Sequence, residues 1–173
     1  MATAFAPTLT NFGQMKIPLG VGSGSNLIHD LMAKIVIGAS PVTSHQQAIA
    51  NSSQFHVSRA ALQTTVVRVQ DLLEAGDDDT TQPDEYTVYR AARWLYLTYF
   101  QMDKTFPKGA AAADENGGIH IYWQSWTRNV QLAVPDEPGA EPWIYHQEGK
   151  EYSLDREVSP EKLAYWLNWL VQG

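Results

Sequence analysis

The stretch Asn116-Gly117-Gly118-Ile119-His120-Ile121-Tyr122-Trp123 decides how this chain is read. Upstream of it the apolar residues recur with a helical period, and from Gly117 onward they alternate. Ile119, Ile121 and Trp123 fall on one side of an extended segment, with His120, Tyr122 and Gln124 on the other, which is the pattern of a half-buried strand. Asn116, Gly117 and Gly118 tolerate the positive φ angles that a tight entry into a strand requires. Trp123 is the large ring on which the helices are expected to pack.

Toward the C-terminus the alternation repeats. A turn near Ser125 leads to Val130, Leu132 and Val134, which alternate with Gln131 and Ala133. Pro135 to Pro142 is a proline- and acid-rich loop, followed by strands at Trp143 to Gln147 and Glu151 to Asp155, with Gly149 at the turn between them. Four strands joined by short connections make an antiparallel meander, one face of which can be wet. Ser159-Pro160-Glu161 then opens a helix with a cap, a proline at the first position and an acid in the first turn. Leu163, Trp166, Leu167, Leu170 and Val171 form its core stripe, while Tyr165 and Trp169 sit on its far side. That pair needs a second cover, either the arm or a helix of the same chain or an intermolecular surface.

Toward the N-terminus the period is helical. A helix is predicted over 53–75, capped by Ser52 or Ser53 and ended by Gly76 before Asp77-Asp78-Asp79. Its stripe is Leu62, Val66, Val69 and Leu73, broadened by Val67 and Leu72. A second helix is predicted from Pro83 to about Lys104, apolar on two faces, so that it should be covered from two sides. Ala110 to Asn116 read as a loop. Residues 1–43 read as a flexible arm, with a linker at Gly20-Val21-Gly22-Ser23-Gly24-Ser25. That run is not a phosphate cradle: position 25 is Ser where the dinucleotide pattern needs Gly, and no Gly-Lys-Ser/Thr follows. Leu27 to Ile37 fits either a helix or a strand.

The expected fold is α+β: an N-terminal arm and an α-hairpin packed on a four-stranded antiparallel meander with a C-terminal helix. The arm covers residues 1–43, and a single domain covers 44–173, its helical half at 44–109 and its sheet plus helix at 110–173.

Charge narrows the function classes. The chain carries a net −7, with four basic against eight acidic groups in 77–116 and the same in 117–173. No basic stripe marks a nucleic-acid footprint, which leaves nucleic acid as a partner only within a larger complex. Arg59, Arg68, Arg90 and Arg93 cluster in the helical half and are the candidates for an anion-binding groove there. With no cysteine, disulfides, thiolate metal sites and cysteine nucleophiles are all excluded. No secretory signal or membrane-length apolar run is present, so the expected location is cytoplasmic, with no membrane partner.

The segment Asp114-Glu115-Asn116-Gly117-Gly118-Ile119-His120-Ile121-Tyr122-Trp123, with Arg128 leading into Val130 and Leu132, resembles a group of small uncharacterised bacterial proteins. These carry an Asp-Gly-Gly-Ile-x-hydrophobic-x-Trp hairpin after a long helix and close on a leucine-rich helix. The resemblance spans residues 86–171, and Asn116 stands where the group usually has Asp. It implies a fold, marked by Gly117, Gly118 and Trp123, and assigns no activity and no catalytic residue.

No catalytic, metal or cofactor constellation is expected. The histidines at 29, 45, 56, 120 and 146 lack the paired spacing of zinc sites. His120 and His146 both fall on strands and would meet if those strands shared a face. Asp77-Asp78-Asp79 lacks the alternating ligand positions of a calcium loop and reads as solvated. The residues therefore point to a non-enzymatic protein-binding or assembly module, a subunit or regulator of a larger bacterial complex or a homo-oligomer, using Tyr165 and Trp169 as its interface. The alternatives are an accessory subunit of a nucleoprotein complex, through the four arginines, and a small enzyme built on His120 or His146.

Overall fold

A computed structural model describes residues 45–74 and 81–172, with side chains from residue 53 onward. The arm at 1–43, the glycine linker, the Asp77-Asp78-Asp79 run and Gly76 lie outside the described residues. The described elements run α1 (His45–Asp71), α2 (Glu85–Gln101), β1 (Ala110–Ala113), β2 (Ile119–Gln124), β3 (Arg128–Val134), β4 (Trp143–Glu148), β5 (Glu151–Asp155) and α3 (Pro160–Val171). This is an α+β fold with a five-stranded antiparallel sheet in the order β1-β2-β3-β4-β5.

The fifth strand corrects the expected loop at Ala110 to Asn116. Four alanines carry no alternation to read, so their strand is specified by the backbone ladder to β2, with Ala110 opposite Tyr122 and Ala113 opposite Ile119. Gly117-Gly118 is therefore the turn of the β1–β2 hairpin. The Asp114 amide donates to the Gly118 carbonyl at 2.9 Å, and Gly117 takes φ +84°. Gly118 is needed for a different reason: a Cβ there would stand 2.5 Å from Asp114 Oδ2.

α1 begins eight residues ahead of the expected start, so Ser52 and Ser53 lie inside the helix rather than at its N-terminus. His45 to Ala50 contain no proline or glycine to stop it, and a helix interior tolerates serine at small cost. Leu62, Val66 and Val69 are buried as a stripe, but Val67 is exposed. α2 is capped by Asp84, whose carboxylate accepts the Thr87 amide at 2.6 Å, and it stops at Gln101 because Met102 turns extended. Pro83 thus precedes the cap. α2 contacts α1, α3 and strands β2 and β3, so it lies between the first helix and the sheet. Val88, Ala92 and Leu95 are sealed and Tyr96 of the second face is buried, whereas Tyr86, Leu97 and Phe100 face out. α3 starts as expected, with Ser159 Oγ accepting the Lys162 amide at 3.3 Å and Pro160 at the first position. Leu163, Leu167 and Leu170 are buried, while Val171 is exposed.

All three helices lie on one face of the sheet, α1 against β1 and α2 and α3 against β2 and β3. Trp123 anchors that layer. Its ring meets Phe106 edge-on at 6.3 Å, its Nε1 donates to the Pro107 carbonyl at 3.1 Å, and Gly109 leaves it room.

Candidate functional site

Strand register sorts the side chains into two faces. Ile119, Ile121 and Trp123 sit opposite Val134, Leu132 and Val130, which continue to Ile144 and His146 on β4. This is the helix-covered face. The other face carries His120, Tyr122 and Gln124 on β2, Asn129, Gln131 and Ala133 on β3, Trp143, Tyr145 and Gln147 on β4, and Tyr152 and Leu154 on β5. It holds no formally charged side chain. The strands' charged residues, Arg128, Glu148, Glu151 and Asp155, all belong to the helix-side register.

His120 and His146 consequently lie on opposite faces and cannot meet. This removes the paired-histidine arrangement, and each ring is also committed separately. His120 Nε2 stands 3.1 Å from Asp114 Oδ2, and the Gln131 amide contacts its Nδ1. The tautomer that satisfies both has Nε2 donating to the carboxylate and Nδ1 accepting from the amide. Both ring nitrogens are then engaged within the chain. Partial burial pushes the Asp114 carboxyl up, but the Asn116 and Gly118 amides and the His120 ring outweigh this and hold it below the usual range. One carboxylate thereby closes the glycine turn and orients the imidazole.

A cavity of about 480 Å³ lies beside this pair, lined by Asp114, His120, Asp136, Glu137 and Trp143 among others. Thr87 at the start of α2 donates to Asp136 at 2.7 Å, which fixes its far wall. Below it, rings crowd the open face: Tyr122 stacks on His120 at 6.1 Å, and Tyr145 on Tyr152 at 6.0 Å. Asn129 and the Tyr145 hydroxyl both donate to Gln147 Oε1, at 3.1 and 2.9 Å, so the polar groups are pre-oriented. Tyr122 is 41% exposed, Leu154 44% and Tyr152 74%.

On the covered side His146 lies flat on Trp166 at 3.5 Å, its Nε2 buried without a hydrogen bond and 3.9 Å from Asp155 Oδ2. Burial pulls its pKa down; the Asp155 carboxylate opposes that and Lys162 adds to it. Burial pushes Asp155 up, but the Trp166 indole N–H at 2.8 Å and Lys162 at 3.1 Å outweigh it, with His146 assisting, and the carboxyl sits below the usual range. This cluster ties α3 to the sheet.

Tyr165 and Trp169 separate in the structure. Tyr165 is 62% exposed. Trp169 is half-buried, edge-on to Trp166 at 5.5 Å and capped by the Arg128 guanidinium at 4.5 Å from its ring centre. Arg128 also donates to the Trp169 carbonyl at 2.8 Å, so that ring is covered from within the chain. The arginines also disperse. Arg68 donates to the Gly109 carbonyl at 2.6 Å, and Arg90 to those of Pro135 and Ala140 at 3.0 and 2.6 Å, each holding a different loop. Arg59 and Arg93 are exposed.

The open-face set of Gln131, Trp143, Tyr145 and Tyr152 escaped reading from the sequence. Its signal was the uncharged outward positions of four consecutive strands, visible only once their register is known. Among the described residues, no helix is long and apolar enough to cross a membrane. No family model matches the chain, and no curated protein or solved structure matches it.

Proposed function

We propose that this chain is a non-enzymatic protein-binding module whose recognition surface is the open face of its sheet. The observation that carries this reading is the composition of that face. It exposes Tyr122, Tyr152 and Leu154 beside half-buried Trp143 and Tyr145, on a chain of net charge −7. Its strand positions carry no charged side chain, and the carboxylates of Asp114, Asp136 and Glu137 stand at its margin. Interface cores are enriched in aromatics and depleted of charge, because a buried unpaired charge costs more than its contacts return. The face is also rigid. Its amides and rings are held by one another, so little side-chain entropy is left to lose on binding. Tyr165 becomes at most a rim contact, since its companion Trp169 is already occupied.

Site-specific photo-crosslinking in lysate of the source cells tests this. A crosslinker at Tyr122 or Tyr152 should give one dominant adduct, absent when it is placed at exposed Arg59 or Arg93. Identical adducts from all four positions would overturn the assignment.

A further inference from the structure

The outer edge of β5 bounds the open face, and acidic side chains guard it rather than proline or lysine. Glu151, Tyr152, Ser153 and Leu154 are all exposed, and among the described residues no strand pairs with β5 beyond β4. The strand contains no proline and no lysine, and its charges are Glu151 and Asp155, both on the helix-side register. Such an edge deters copies of itself by charge and still offers its backbone donors and acceptors to an extended segment of opposite charge.

A second copy of β5 is a poor occupant. Antiparallel self-pairing centred on Ser153 sets Tyr152 against Leu154, which is favourable, but it also sets Glu151 against Asp155 twice. Like charges directly opposite across a ladder are destabilising. The same geometry states what fits. On the helix side Glu151 and Asp155 ask for basic residues, with the stronger demand at Glu151, because Asp155 already has Lys162 at 3.1 Å and the Trp166 indole. On the open-face side Tyr152 and Leu154 ask for apolar residues.

We infer that β5 receives an extended segment of a partner protein in which basic and apolar residues alternate, adding a sixth strand to the sheet. This rests on the protein-binding reading and names the form of the partner: the added strand would seat its apolar side chains at the margin of the open face, and its backbone would supply the affinity.

The test uses the full chain, ¹⁵N-labelled, and a short synthetic peptide in which lysine alternates with valine and tyrosine. Peptide should shift the β5 amides and slow their hydrogen exchange while leaving α1 unchanged. A matched peptide with glutamate for lysine should bind several-fold more weakly, and Glu151→Lys should reverse that preference. Tyr152→Pro and Ser153→Pro, tested separately, should abolish binding at whichever position turns its N–H outward, with α3 and β1–β4 resonances retained. Unchanged β5 amides at millimolar peptide, or equal binding of the two peptides, would overturn the inference. If that happens while crosslinkers at Tyr122 and Tyr152 still trap one protein, the edge assignment fails and the binding module stands. If the crosslinkers also fail, both fall.

Discussion

The two faces of the sheet are built from the same five strands and do opposite things with their side chains. On the helix side Ile119, Ile121, Trp123, Val130, Leu132, Val134 and Ile144 are almost completely sealed under three helices. On the open side the intervening positions carry rings and amides, and three of them expose large apolar groups. The difference lies in how polar atoms are satisfied. The covered face has few: Trp123 Nε1 donates to the Pro107 carbonyl, while His146 Nε2 is buried without a hydrogen bond. The open face satisfies its polar atoms laterally, from Gln131 to His120 to Asp114 and from Asn129 to Gln147. A lateral network leaves the outward surface available for contact, and the sealed face supplies the stability that lets it remain so.

The sharpest way to break this comparison is to truncate the matched tryptophans. Trp123→Ala should cost about 3–5 kcal/mol in urea or thermal unfolding, since it opens a cavity and strands the Pro107 carbonyl. Trp143→Ala, on the open face, should cost about 1 kcal/mol or less. Similar losses at the two positions would show that the open face is structural. The hairpin turn comes next. Gly118→Ala drives a methyl group to 2.5 Å from Asp114 Oδ2, so a loss of about 1–3 kcal/mol is expected, together with displaced NMR resonances of His120.

The smallest effect is the pH dependence that His146 confers. Burial holds His146 below the ordinary imidazole value of 6.5, so as pH falls the unfolded chain takes up that proton before the folded one. Its stability contribution is intact above about pH 6.5 and is lost as pH drops toward the folded-state value. Urea midpoints measured across that window should fall with pH, and His146→Gln should flatten the slope. Asp114 and Asp155, both held low, act in a separate window: their contribution is present above 3.8 and is lost below it. An unchanged slope in His146→Gln would mean the ring is not desolvated in solution.

Much of the architecture is legible because its signals are local. Ser159-Pro160-Glu161 opens α3 as its residue types require, and alternation from Ile119 to Asp155 marks four strands. β1 was illegible because its four alanines have no side chain to alternate; its evidence lies in the ladder to β2. The cover of Trp169 was illegible for a related reason. A helical wheel shows which residues leave the helix together but not that Arg128 of β3 reaches across to cap one of them. The candidate site depends on cross-strand neighbours, and Gln131 beside His120 becomes visible only once register pairs β2 with β3.

The simple strand order has a kinetic consequence. Each of the five strands pairs only with its neighbours in the chain, so every ladder closes a short loop and costs little chain entropy. The sheet can zip hairpin by hairpin from Ala110 to Asp155, and its rate should change little when a connecting turn is lengthened. By contrast, the return of α3 to the segment after α2 is a long closure, in which the Lys104 N–H donates to Asn168 Oδ1 across 64 residues. Mutations in that helix should accelerate unfolding while leaving the folding rate of the sheet almost untouched.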